Sequence, residues 1–302
     1  MKPAVMGCAA RWIPAICTAS VLLLCTGCWN PPAPTARQLN TGLVWMFPGV
    51  EGGPWSLKQA HDALRDAGVK SAIRVHDWAR PFGAITNLIA YERNRRDAVA
   101  IAESILEYRG AHPDAPIDLV GYSGGGGVAV MVAEALPEQC RLRNVVLAQA
   151  AISPSYDLRP ALRKVDGKLV SFYSPLDWII LGSGTTVFGT IDRTFVPSAG
   201  KDGFDTRAAV PDEALREHFE QRVWTGKMLA EGHYGGHFGI LLYAWNKQFV
   251  APYLLPTEPE GSDARAATRP SASRPATPAP EERAGAQASD GHAGGPVQPR
   301  QP

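Results

Sequence analysis

The sequence predicts an α/β domain with a mostly parallel central sheet and helices on both faces, and three observations predict it. Short runs such as Gly42–Phe47, Ile117–Val120 apart from Asp118, and Asn144–Ala148 after its first residue are apolar at successive positions, as in strands buried on both sides rather than on one. These runs alternate with stretches whose apolar residues recur at helical spacing. Between one run and one such stretch stands a glycine-rich turn, Gly121-Tyr122-Ser123-Gly124-Gly125, where the chain can pass tightly from strand to helix.

Taken in order, the run Gly42–Phe47 stops at Pro48-Gly49 and gives the first strand. Trp55 and Ser56 precede Gln59, and Leu57, Ala60, Leu64 and Ala67 recur before Gly68, the pattern of a capped amphipathic helix. Ala72–Val75 supplies a second strand and Asp97–Tyr108 a second helix, with Val99, Ala102, Ile105 and Leu106 near one face. The turn from Pro113 to Pro116 leads into the strand Ile117–Val120, followed by the glycine-rich turn and a helix from about Gly125 to Leu136. Two more strands are expected at Asn144–Ala148 and Lys168–Tyr173. The stretch Gly182–Phe204 is rich in Gly, Ser and Thr and lacks a period, so it reads as long loops. A last strand near Gln221–Trp224 and a closing helix over Phe238–Phe249 complete the reading.

The ends differ from this middle. Lys2 and Arg11 precede an uncharged apolar stretch from Trp12 to Cys25, the layout of a secretory signal over residues 1–28. That stretch is shorter than the roughly 20 residues of a spanning helix. It ends in Leu24-Cys25-Thr26-Gly27-Cys28, which resembles the lipobox of bacterial lipoproteins, with Cys28 as the residue that is lipidated. Cys25 stands where that pattern normally has Leu, so simple secretion and a retained anchor remain open. The expected localisation is the bacterial cell envelope, tethered to the membrane through an acylated Cys28, with a periplasmic or secreted protein as the alternative. Residues 29–39 read as a flexible leader. From Thr257 to Pro302 there is no aromatic residue and no Leu, Ile or Met, so residues 257–302 read as a disordered Pro/Ala-rich tail that cannot bury enough surface to offset its ordering entropy.

Residues 40–256 remain, roughly 215 positions, enough for one large core and one domain. The 30 basic and 29 acidic side chains leave a formal charge of +1, which gives no electrostatic case for nucleic acid. Of 5 cysteines, Cys8, Cys17, Cys25 and Cys28 precede the domain, leaving Cys140 without a partner for an intrachain disulfide.

Chemistry concentrates at Ser123. The string Gly121-Tyr122-Ser123-Gly124-Gly125 has the G-x-S-x-G form and sits directly after a strand and before a helix, the context that lifts a serine above a sheet on a strained turn. Gly124 to Gly127 are more glycines than the turn requires, and close packing of helix on sheet is expected of the surplus. On these residues the chain resembles the α/β-hydrolase fold superfamily, with the turn reading like that of its lipase and esterase branches. The resemblance implies a parallel sheet covered on both faces. It also implies the chain order nucleophile, acid, histidine, with the acid after a later strand and the histidine in the last loop before the final helix.

The residues offer candidates for both partners. Asp177 follows the strand ending at Tyr173, where a carboxylate could hold an imidazole Nδ1–H; Asp192 is the rival, with no evident strand before it. Of 7 histidines, His233 and His237 lie immediately before the closing helix, and His237, which abuts it, is favoured over His233. A zinc site at this pair would need more ligands than Glu231, the one local carboxylate, so no metal is expected. The resemblance further implies two backbone donors for an oxyanion: the N–H of Gly124 and one from the loop after the first strand, assigned to Val50 by register. Pro48 replaces the histidine common there, and Glu51 is expected to point to solvent.

The expected activity is hydrolysis of carboxylic esters, as an esterase or lipase, through a Ser-Asp-His triad and an acyl-enzyme, with a small ester or lipid as substrate and no cofactor. Trp178, Ile179, Ile180 and Leu181 could line an acyl pocket or belong to the core. A peptidase or acyltransferase on the same triad, or a non-catalytic envelope protein retaining the fold, are the alternatives.

Overall fold

The computed structural model describes residues 29–81 and 83–256. The segment read as a signal, with Cys28, and the segment read as a tail from Thr257 lie outside the described residues. Six strands form one sheet: β1 (Leu43–Phe47), β2 (Ala72–Val75), β3 (Ile117–Tyr122), β4 (Asn144–Ala148), β5 (Leu169–Tyr173) and β6 (Phe219–Val223). Their spatial order is β2-β1-β3-β4-β5-β6, and every neighbouring pair is parallel. Beside these strands lie α1 (Ala36–Thr41), α2 (Lys58–Asp66), α3 (Ala84–Ile89), α4 (Tyr91–Ala111) and α5 (Gly124–Ala135).

Successive strand residues enter different cores. Leu43, Trp45 and Phe47 of β1 pack with Ile101, Ile105 and Val132 on the side of α4 and α5. Val44 and Met46 pack with Leu57, Leu64 and Trp245 on the other. Both sets are buried, which is why the strands read as unbroken apolar runs, and each fully buried aliphatic side chain contributes about 1.5–3 kcal/mol.

At the start of β3, Asp118 is fully buried and meets Arg143 Nη2 at 2.5 Å and the Asn144 N–H at 3.1 Å. Burial pushes its carboxyl up to about 6 against the opposing pull of that guanidinium. Arg143 Nη2 also donates to the Leu254 carbonyl at 2.8 Å, so this pair ties the end of the domain to the N-terminal edge of the sheet.

Several expected elements differ in extent. Within the segment read as leader, Thr35 makes a reciprocal capping box with Gln38 and starts α1. Leu57, not Ser56, precedes α2, and a 3₁₀ turn at Pro54–Leu57 replaces the side-chain cap. The second helix starts at Tyr91 rather than Asp97, and the last strand is Phe219–Val223. The stretch read as long loops carries a π turn at Trp178–Gly184 and single helical turns at Thr185–Phe188 and Ala199–Asp202.

The single closing helix is replaced by short turns: His237–Leu241, Tyr243–Trp245, Asn246–Val250 and Ala251–Tyr253. Leu242 interrupts them with an extended ψ of 142°. The Asn246 side chain donates to the Ile240 carbonyl at 2.8 Å and joins its own backbone N–H on the Leu242 carbonyl, at 2.9 and 3.1 Å, so it bridges the break.

The strand order reverses direction between β1 and β3. In open parallel sheets ligands bind beyond the carboxyl ends of the strands at such a reversal. Because Phe47 pairs with Gly121, the loop from Pro48 and the turn at Ser123 leave the sheet side by side at that reversal.

Candidate active site

Ser123 leaves β3 with φ 55° and ψ −122°, a conformation L-residues rarely adopt. Its neighbours over-determine that geometry: the Ser123 N–H donates to the Ala148 carbonyl at 3.0 Å, and its own carbonyl accepts from Gly126 and Ala151, each at 3.0 Å. Helix α5 can start here because of its glycines. A Cβ on Gly121 would collide with the backbone of Gly125 and Gly126, one on Gly125 with the carbonyls of Phe47 and Pro48, and one on Gly127 with Ile191. The surplus glycines therefore allow helix and sheet to approach closely, as expected.

His237 opens the first of the short closing turns. Its Nε2 lies 2.9 Å from Ser123 Oγ and its Nδ1 lies 2.5 Å from Asp177 Oδ2. The Asp177 carboxylate can only accept, so Nδ1 carries the proton and Nε2 is left to accept from the serine hydroxyl. Asp177 is buried at the end of the loop after β5, where Oδ2 also accepts from Gln149 Nε2 at 2.9 Å and Oδ1 from the Leu181 N–H at 3.4 Å. Tyr122, next to the serine, donates its hydroxyl to Asn246 Oδ1 at 2.6 Å. Through Asn246 it is linked to the carbonyls that follow His237.

The other candidates are engaged elsewhere. Asp192 accepts from the Ser153 N–H and hydroxyl at 2.9 and 2.5 Å and from the hydroxyls of Thr190 and Thr194 at 2.7 and 3.2 Å, anchoring its own loop. His233 is 1 % exposed and uses Nδ1 to accept from the Gly235 N–H at 3.0 Å, while its carbonyl accepts from Trp224 Nε1 at 2.8 Å. It packs edge-on to Trp245 with ring centres 5.6 Å apart, and a Cβ on Gly239 would collide with its ring. Val50 lies beside Gly124, close enough that a Cβ on that glycine would stand 2.5 Å from Val50 Cγ1. Glu51 is exposed. Cys140 is buried and free. Among the described residues, no group of three or more His, Cys, Asp and Glu side chains gathers as a metal-binding cluster.

Gln149 escaped the sequence reading. It is 1 % exposed, holds a φ of 46° and donates to the same oxygen of Asp177 that meets His237. A polar residue placed directly after the apolar strand β4, at the carboxyl edge of the sheet, was the available signal.

Burial pushes the His233 imidazole down to about 4, with His237 adding to the shift and the Asp177 charge opposing it. The folded protein holds this ring neutral at pH values where an unfolded chain protonates it. Its contribution to stability is therefore complete above pH 6.5 and is lost as the pH falls from 6.5 towards 4. In urea unfolding, wild type is expected to lose on the order of 2 kcal/mol more across that window than His233→Gln. Parallel pH profiles would remove this reading of His233.

A six-stranded parallel sheet in the order β2-β1-β3-β4-β5-β6 carries its serine on a strained turn after β3. Asp177 follows β5 and His237 follows β6, so the three hydrogen-bonded residues come in the chain order serine, aspartate, histidine. The fold is that of the α/β-hydrolases. No protein-family model and no curated protein matches the sequence. Solved structures similar to this α/β-hydrolase domain include Aspergillus fumigatus lipase B, at 11 % identity over 73 % of this chain and 54 % of that one, with a TM-score of 0.47. A second is LpqC, a poly(3-hydroxybutyrate) depolymerase from Bordetella parapertussis, at 14 % identity over 72 % and 82 % with a TM-score of 0.45. A third is a CIB-like hydrolase from Thermoplasma acidophilum, at 16 % identity over 73 % and 87 % with a TM-score of 0.41. The strand order and the strained turn are what decide the α/β-hydrolase fold.

Proposed function

We propose that the protein is a serine hydrolase that cleaves carboxylic esters through an acyl-enzyme. One observation carries the reading: Ser123 Oγ, His237 and Asp177 form a hydrogen-bonded series with separations of 2.9 and 2.5 Å. His237 Nε2 takes the hydroxyl proton as Oγ bonds to the ester carbonyl, and Asp177 stabilises the imidazolium that results. The tetrahedral oxyanion lies against the N–H groups of Gly124 and Val50. Gly124 is the first residue of α5, so its N–H has no acceptor within the helix and stands at the positive end of the helix dipole. Collapse expels the alkoxide, which takes the proton from His237. Water then attacks the acyl-enzyme, giving a proton to the same nitrogen, and as the second tetrahedral species collapses His237 returns that proton to Ser123 Oγ while the carboxylic acid leaves.

An apolar rim next to the series favours apolar esters. Trp178 and Ile179 follow Asp177 and are each 61 % exposed, and Phe238 follows His237 at 71 %. Leu181, by contrast, is buried in the core. A fluorophosphonate is expected to label wild type at Ser123 and to leave Ser123→Ala unlabelled. Across aryl esters of two to eight acyl carbons, kcat/KM is expected to rise by up to about fourfold per methylene where the chain meets the rim. Trp178→Ala is expected to flatten that rise by roughly tenfold at the long end without changing acetate turnover. A flat wild-type profile would remove the apolar preference, equal turnover of amides would favour the peptidase, and an unlabelled Ser123 would remove the enzyme.

A further inference from the structure

Two fully buried polar side chains near the site have no part in the series at Ser123. Trp78 is 1 % exposed and Asn87 0 %, and both come from the segment after β2. Trp78 Nε1 donates to the Pro48 carbonyl at 2.8 Å, and Asn87 Nδ2 donates to the Val50 carbonyl at 3.0 Å. Between them, the Gly49 carbonyl accepts from the Gly52 N–H at 3.2 Å. Three successive carbonyls of the loop after β1 thus have fixed partners, and the peptide that carries the Val50 N–H lies between two of them.

The clamps are themselves fixed. Asn87 Oδ1 accepts from the Arg80 N–H at 2.9 Å and from Arg93 Nη2 at 3.1 Å, while Nδ2 makes a second bond to the Arg80 carbonyl at 3.0 Å. The carboxamide therefore has no freedom to turn. The Trp78 ring approaches within 3.3 Å of the place where a Cβ on Gly124 would stand. It thus packs on the peptide of one proposed oxyanion donor while bonding the loop that holds the other.

We infer that Trp78 and Asn87 are positioning residues for the oxyanion site, holding the Val50 N–H in register with that of Gly124. The inference rests on the acyl-transfer reading above. Oxyanion donors act through pre-set geometry and reorganise little during reaction, so a loop held at three consecutive carbonyls serves the transition state more than the bound ester.

Trp78→Phe keeps the ring and removes the donor to Pro48. Asn87→Asp keeps the acceptor for Arg80 and Arg93 and removes the donor to Val50. Each is expected to lower kcat on an aryl ester about 10- to 100-fold with KM within about threefold, and to weaken a trifluoromethyl ketone inhibitor by the same factor as kcat/KM. Normal kcat in both variants, whatever their melting temperatures, would overturn the inference. If either variant does not fold, the wild-type crystal structure of the Ser123 phosphonate adduct decides. The phosphonyl oxygen is expected within hydrogen-bond distance of the Val50 and Gly124 nitrogens, and an oxygen bound elsewhere would overturn the assignment. Wild type that neither hydrolyses esters nor takes the phosphonate at Ser123 would instead overturn the acyl-transfer reading, and this inference with it.

Discussion

Ser123→Ala and His237→Ala are each expected to lower turnover of a simple aryl ester by at least about a thousandfold, whereas His233→Ala retains most of the activity of its folded fraction. The size follows because nucleophile and base act as a unit, and losing either leaves mainly binding and oxyanion stabilisation. The asymmetry between the histidines follows from their bonds. His237 spans Asp177 and Ser123, while His233 spends Nδ1 on Gly235 and is buried. Asp177→Asn is also expected to be severe, since an amide cannot stabilise the imidazolium and can present an N–H to Nδ1, reversing the tautomer. Each rate is to be read beside a melting curve. A competent His237→Ala beside a dead but folded His233→Ala would reverse the assignment, and full turnover by Ser123→Ala would end the proposed mechanism.

Gly125→Ala is expected to be among the most damaging single-methyl changes to stability. The added Cβ would fall on the carbonyls of Phe47 and Pro48. Phe47 ends β1 in register with Gly121 of β3, and the Pro48 carbonyl is held by Trp78 Nε1, so that backbone cannot withdraw. Overpacking of this kind costs about 3 kcal/mol, which for a domain of this size lowers the melting temperature by about 6–12 °C. Gly110→Ala is the matched control. Nothing lies within 4 Å of its added Cβ, and in a helix alanine is favoured by up to about 1 kcal/mol. Equal melting temperatures for wild type and Gly125→Ala would mean that the helix does not sit on the strand as closely as described.

The central sheet was legible because its strands are buried on both faces, so residues such as Val44 and Trp45 are both apolar although they enter different cores. The turn at Ser123 was legible because its backbone needs glycine at fixed positions. Asp177 was reachable because it follows a recognisable strand. What separates it from Asp192 is the set of hydroxyls on Ser153, Thr190 and Thr194, and Ser153 is 39 positions away. The burial of His233 likewise depends on Trp245 and Gly239 closing around it, which spacing does not express. Helical turns of four residues, as at Thr185–Phe188, are too short to show a period. The break at Leu242 depends on where the Asn246 side chain bonds rather than on local propensity. Trp78, Asn87 and Gln149 act on partners 28 to 37 residues distant, and no short motif marks them.

The link from Tyr122 through Asn246 to the segment of His237 ties that histidine to the strand leading into Ser123 by a route that bypasses the serine hydroxyl. Erasing that hydroxyl is expected to leave the imidazole at its station. On the proposed mechanism, Ser123→Ala is a receptor rather than a ruin: it is expected to retain an intact ester that wild type would cleave. Immobilised and passed over a lipid extract, it is expected to capture the molecule on which the proposed activity acts.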